Sequence, residues 1–131
     1  MSRHLIVLSV FLSLLITSAP FASAQRETAK ERRVRFSRGQ SKATLQGKAK
    51  NGVSYIYKVT AQKDQKLDVH LTSDGSLTFS VVPPGAHTLD NAAGVTQWSG
   101  SLPESGDYSI VVATNKKEAA KIPYTLEVEI K

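Results

Sequence analysis

From residue 33 to the end of the chain, apolar and polar residues alternate with a period of two, which is typical of half-buried β-strands. The clearest stretch is 66–72, where leucine and valine occupy every second position and polar side chains occupy the others. Turn signals rich in Gly, Asp, Asn and Pro interrupt the alternation about every 8–12 residues. The pattern predicts an all-β protein, an antiparallel two-sheet β-sandwich of about eight strands.

The alternation also predicts the core, because residues of one phase face one side of a sheet. No segment after residue 33 has a convincing helical period, and a single sandwich over 33–131 accounts for the whole pattern. The positions that share the inward phase and carry large apolar side chains are Phe36, Tyr57, Leu67, Val69, Phe79, Ile110, Leu126 and Val128.

The first residues are typical of a secretory signal peptide. A short basic start precedes an apolar run that is shorter than the about 20 residues needed to span a membrane as a helix. Pro20 ends that run, and Ala22-Ser23-Ala24 has the small-x-small pattern of a cleavage site. We therefore predict a signal peptide over 1–24 that is cleaved after Ala24, no membrane span, and a periplasmic or secreted protein. Residues 25–32 are polar without an apolar period, which predicts a flexible lead-in.

Composition and motifs argue against catalysis. The chain has no cysteine, which excludes a thiol nucleophile, thiolate metal ligands and redox chemistry. It contains no H-E-x-x-H, G-x-S-x-G or S-x-x-K motif, and its histidines lack metal-ligand spacing. We predict a protein that is not an enzyme and has no catalytic residue, cofactor or metal site. The net charge is +6, but the aromatics fall on inward positions, which does not favour nucleic-acid binding.

Two stretches resemble a known family. The first is RVRFSRGQS at 33–41, which continues through Tyr57 to QKLDV at 65–69; the second is WSGSLPESGDY at 98–108. Together they resemble the exported bacterial inhibitors of g-type and i-type lysozyme, which in turn look like pre-peptidase C-terminal β-sandwich domains. The resemblance covers about residues 33 to 131, and it implies a lysozyme of either type as the partner.

The resemblance also implies site residues. Inhibitors of this family carry a Ser-Gly-x-Tyr loop that enters the substrate cleft of the lysozyme and blocks it. Basic residues near the last hairpin support that contact. The matching loop positions in this chain are Ser105, Gly106, Asp107 and Tyr108, and the nearest basic residues are Lys116, Lys117 and Lys121, with lysine where the family has arginine.

Two alternatives remain open at the level of sequence. Tyr108 is in phase with the inward residues Ile110 and Val112, so it is either a core residue of the tyrosine-corner type or a contact with the target. The chain is either a lysozyme inhibitor or a non-catalytic sandwich module for glycan, adhesion or protein contact. An exposed Trp98 would favour the module. The edge strands of a sandwich leave homodimerisation open.

Overall fold

The protein is described here by a computed structural model, which covers residues 28–85, 87–114 and 120–131. These residues form eight β-strands and no helix, which confirms the all-β prediction. The strands are β1 (Thr28–Arg33), β2 (Lys42–Ala49), β3 (Val53–Ala61), β4 (Lys66–Thr72), β5 (Leu77–Val82), β6 (Gln97–Ser101), β7 (Gly106–Thr114) and β8 (Ile122–Ile130).

The strands form two sheets of four, as the period-two pattern predicts. One sheet has the order β1-β3-β7-β5 and the other β2-β8-β4-β6. All pairs are antiparallel except β1 with β3, which is parallel. The chain crosses between the sheets several times, so residues that are far apart in sequence meet at each end of the sandwich.

The inner faces of the two sheets enclose one hydrophobic core. Every predicted core residue is buried except Phe36, which is partly buried and packs against the core. Several side chains have no exposed surface, among them Leu67, Ile110, Leu126 and Val128. The alternation therefore identified the inward phase correctly, because one buried face per sheet fixes the register of each strand.

Strand β1 corrects the prediction for 25–32. Residues 28–32, expected to be a flexible lead-in, form a strand that pairs along β3 from Thr28↔Val53 to Arg33↔Lys58. All six of its side chains are exposed, so no apolar period marks it. Its order comes from backbone hydrogen bonds to the edge of β3, which a side-chain pattern does not report. The strand predicted to start at residue 33 is thus displaced towards the N-terminus, although Val34 is buried.

The predicted signal peptide, its cleavage site after Ala24, and Lys116 and Lys117 lie outside the described residues. Within the part of the chain that the structure describes, no helix is long and apolar enough to cross a membrane.

Candidate functional site

The turn that precedes β7 is fastened to the neighbouring loop by backbone hydrogen bonds. Leu102 is buried; its N–H donates to the Gln65 carbonyl at 2.8 Å, and its carbonyl accepts from the Asp64 N–H at 2.9 Å. The chain then reverses through Pro103 and Glu104 into β7. Residues 105–108, which we call turn 105–108, therefore project from a fixed base rather than from a loose loop.

Tyr108 is a core residue. Its side chain has no exposed surface, and its hydroxyl donates to the Glu104 carbonyl at 2.6 Å and accepts from the Glu104 N–H at 3.2 Å. Burial raises the pKa of this hydroxyl. The residue has the tyrosine-corner arrangement, in which the hydroxyl fixes the backbone a few residues upstream. Of the two readings that the sequence left open, the structure has the core one, and it leaves no Tyr108 side-chain surface for a partner.

Ser105 is the exposed residue of the turn. Its Oγ accepts a hydrogen bond from the Lys63 backbone N–H at 2.8 Å. A hydroxyl can donate one hydrogen bond and accept two, so this contact uses an acceptor position and keeps the O–H as a donor. The serine is oriented by the turn and still presents a donor to the outside.

Gly106 is required by the backbone. Its φ is +144°, a value that side-chain-bearing residues rarely adopt, and a Cβ built there would lie 2.9 Å from Pro84 Cγ. Glu104 makes a second contact with the same proline loop, since its Oε1 accepts from the Gly85 N–H at 3.0 Å. The loop that contains Pro84 and Gly85 thus supports the turn from the side.

Asp107 is held by two partners from other strands. Arg33 donates through both terminal nitrogens, at 2.8 Å to Oδ2 and 3.1 Å to Oδ1. Thr60 Oγ1 donates to Oδ1 at 2.6 Å and accepts from Arg33 at 2.7 Å. The hydrogen bonds from Arg33 and Thr60 lower the pKa of Asp107 well below its usual range. A planar, two-point Arg–carboxylate contact fixes geometry as well as charge.

The predicted basic contacts do not join this turn. Lys121 precedes β8, whose first residue Ile122 pairs with Ala49, whereas Ile130 at the other end of β8 pairs with Leu67 beside the turn. At about 3.3 Å per residue, the nine residues of β8 place Lys121 roughly 25 Å away. Lys121 is therefore corrected: it lies at the opposite end of the sandwich.

Four residues that fix the turn were not predicted from the sequence: Arg33, Thr60, Lys63 and Glu104. Arg33 and Asp107 are 74 positions apart, and Lys63 and Ser105 are 42 apart. No local pattern pairs residues over such separations. Arg33 does stand out in a cluster of arginines, but that cluster is equally typical of a solvated charged segment.

The feature that would favour a glycan-binding module is missing from the described residues. Trp98 is only 8 % exposed, and its Nε1–H donates to the Asp90 carbonyl at 3.0 Å. Tyr57, Tyr108 and Tyr124 are also buried. Within the described ranges, no group of three His, Asp or Glu side chains is arranged to hold a metal ion.

Comparison with known proteins identifies relatives of this sandwich. The Escherichia coli (strain K12) protein named inhibitor of g-type lysozyme is 29% identical over 134 residues, which cover 94% of each chain. The chain is a homologue of the g-type lysozyme inhibitors. The crystal structure of Aeromonas hydrophila PliG, described as a periplasmic inhibitor of g-type lysozyme, matches with a TM-score of 0.70 and 28% identity over 79% of this chain and 98% of that one.

A more distant structure shares the fold alone. The pre-peptidase C-terminal domain of a Bacillus anthracis collagenase matches with a TM-score of 0.53 at 14% identity, covering 79% of this chain and 96% of that domain. No family model matches the chain. Both parts of the sequence resemblance are thereby confirmed. Because the homologues are named as inhibitors, the prediction of a non-enzyme is confirmed as well.

Proposed function

We propose that this protein inhibits a g-type lysozyme in the periplasm, with turn 105–108 entering the substrate cleft. The observation that carries the proposal is the full-length similarity to a protein named inhibitor of g-type lysozyme, at 29% identity over 94% of both chains. Periplasmic location follows from the description of the A. hydrophila homologue. An i-type lysozyme, which the family resemblance also allows, is a second target to be compared in the same assay.

The geometry of turn 105–108 supports a rigid, preorganised contact. Ser105 is exposed at its tip, while Tyr108, Asp107 and Gly106 are fixed by the core, by Arg33 and by the proline loop. A segment that is already ordered loses little conformational entropy on binding. Glycoside-cleaving sites carry carboxylates, and a serine hydroxyl is a suitable donor to a carboxylate. Ser105 is accordingly the residue of the turn that we propose makes the decisive contact.

The test is a cell-wall lysis assay with g-, i- and c-type lysozymes, each titrated with the purified protein. We expect inhibition of the g-type enzyme at micromolar concentration or below. Ser105→Ala removes a hydrogen bond from a buried interface, which costs about 1–3 kcal/mol and corresponds to about 5–150-fold weaker inhibition. The melting temperature should change little, because the residue is exposed in the free protein.

Ser99→Ala is the matched control, since Ser99 is also an exposed serine but lies on β6 outside the turn. It should leave inhibition unchanged. Equal losses for the two variants would reject turn 105–108 as the contact while keeping the inhibitor assignment. If the wild type inhibits none of the three lysozyme classes at micromolar concentration, the inhibitor assignment is wrong and the non-catalytic contact module takes its place.

A further inference from the structure

A groove runs between the two sheets on the side where β1 and β2 form the outer edges. It encloses about 240 Å³. That volume is below the roughly 300–1,000 Å³ of pockets for drug-sized ligands, so it suits one small chemical group or one sugar ring. We call it the tyrosine groove; the lining residues that matter are Lys30, Arg32, Lys48, Tyr55, Tyr57 and Tyr124.

The rim of the tyrosine groove is cationic. In the parallel register of β1 on β3, Lys30 pairs with Tyr55 and Arg32 with Tyr57. Paired residues project to the same face of a sheet, so these two charges stand over the tyrosines. Lys48 approaches from β2 on the other sheet. Among the described residues that line the groove, Glu31 is the single acid, which leaves an excess of positive charge.

The floor of the groove holds two hydroxyls that bond to each other. Tyr57 and Tyr124 come from different sheets, and their hydroxyl oxygens are within hydrogen-bond distance. One hydroxyl donates to the other, and the hydrogen of the second hydroxyl is then available to an acceptor outside the pair. Burial, with a further contribution from Tyr57, raises the pKa of Tyr124, so its hydroxyl stays protonated at neutral pH.

Gly47 permits this arrangement. It lies directly opposite Tyr124 in the β2–β8 register, and a Cβ at Gly47 would come within 2.6 Å of the tyrosine ring and hydroxyl. The ring therefore lies over the glycine. Tyr55 packs edge-on against the same ring at 6.1 Å between centroids and lines the groove with a half-buried aromatic side chain. The site thus offers a ring surface next to the hydroxyl pair.

We propose that the tyrosine groove binds the carboxylate of an acidic saccharide, a function separate from lysozyme inhibition. The carboxylate would accept a hydrogen bond from the hydroxyl pair and lie among Lys30, Arg32 and Lys48. The sugar ring would lie against Tyr55. Inward-facing charges on an edge strand also discourage pairing with another sheet. That role, however, requires neither a hydroxyl pair beneath the charges nor a third cation from the opposite sheet.

The test is a titration of the isotope-labelled protein with trigalacturonate, followed by amide chemical shifts in 150 mM salt, where the Debye length is about 8 Å. We expect saturable shifts confined to β1, β3 and the part of β2 around Gly47, with a dissociation constant below about 10 mM. The neutral trisaccharide maltotriose should produce no such shifts. Arg32→Gln combined with Lys48→Gln should weaken binding by about tenfold or more, because charge-assisted hydrogen bonds are the strong ones.

The matched control is Arg38→Gln combined with Lys66→Gln. It also removes one arginine and one lysine, both exposed and both outside the groove. It should change affinity by less than about twofold. Equal weakening by the two double variants would overturn the proposal, since the effect would then be one of net charge. Binding of maltotriose with the same affinity, absence of shifts at 10 mM trigalacturonate, or binding of inorganic phosphate alone would overturn it as well. None of these results depends on a lysozyme assay.

Discussion

Two buried tyrosines in this protein differ in what their hydroxyls do. The Tyr108 hydroxyl bonds twice to the backbone of Glu104, four positions earlier, and closes turn 105–108. The Tyr124 hydroxyl bonds to Tyr57, 67 positions away, beneath a cationic groove. Both rings are almost fully buried, so burial alone does not separate them. The partner of the hydroxyl does: a backbone partner indicates a structural tyrosine, and a second hydroxyl leaves a donor for a ligand.

The surroundings of the two tyrosines follow the same division. Next to Tyr108, the charge of Asp107 is neutralised within the protein by Arg33. Around Tyr124, three cations line a groove with one acid. Turn 105–108 is therefore internally satisfied and presents mainly Ser105, whereas the tyrosine groove has charge and a hydroxyl donor that a ligand would satisfy.

The largest expected change in stability is for Tyr108→Phe. The variant leaves the Glu104 carbonyl and N–H without their partner in a partly buried turn, which costs about 1–3 kcal/mol and lowers the melting temperature by about 5–20 °C. Lysozyme inhibition by the fraction that is still folded should persist, because the side chain has no exposed surface. Thermal unfolding followed by circular dichroism, with inhibition assayed at low temperature, checks both. An unchanged melting temperature with lost inhibition would show that Tyr108 contacts the target.

Tyr124→Phe should have a smaller effect on stability. It breaks one hydroxyl–hydroxyl bond at the half-open floor of a groove, where water can replace it, so about 0.5–1.5 kcal/mol is lost. The expected fall in melting temperature is about 2–10 °C, with lysozyme inhibition unchanged. The same two measurements apply, so the pair of Tyr→Phe variants is compared directly. A larger destabilisation than that of Tyr108→Phe would contradict the distinction between the two tyrosines.

The smallest effect is expected for Asp107→Asn, and it should depend on pH. Arg33 and Thr60 lower the pKa of Asp107 in the folded protein, so the ion pair contributes stability above the unfolded-state pKa of about 3.9. That contribution is lost progressively as the pH falls below about 4. At pH 7 the variant should melt about 1–4 °C below the wild type, because the pair is largely exposed.

The measurement for this variant is a series of thermal melts of both proteins from pH 7 to pH 2. The two melting temperatures should converge at the acidic end. A difference that is constant over this range would mean that the charge of Asp107 is irrelevant and that only its shape matters. Arg33→Lys sharpens the result, since lysine keeps the charge but cannot make the two-point contact.

Much of the fold could be predicted because it is written in local patterns. The period of two identified seven of the strands and the inward phase of residues such as Val69 and Leu126. Strand β1 escaped because its six exposed side chains carry no pattern and only its backbone pairs. For turn 105–108, the motif located Ser105 and Gly106, but it could not say whether Tyr108 faces the core or a partner.

What the sequence determined by itself is the class of fold, the inward-facing residues and the position of the candidate turn, because each depends on neighbours a few residues apart. Only the tertiary structure decided the rest. It brought Arg33 to Asp107, bonded Lys63 to Ser105, joined Tyr57 to Tyr124 across the two sheets, and separated Lys121 from the turn that it was expected to support. These relations depend on how strands pair between distant segments, and strand pairing is fixed by the packing of the whole core rather than by any local stretch of residues.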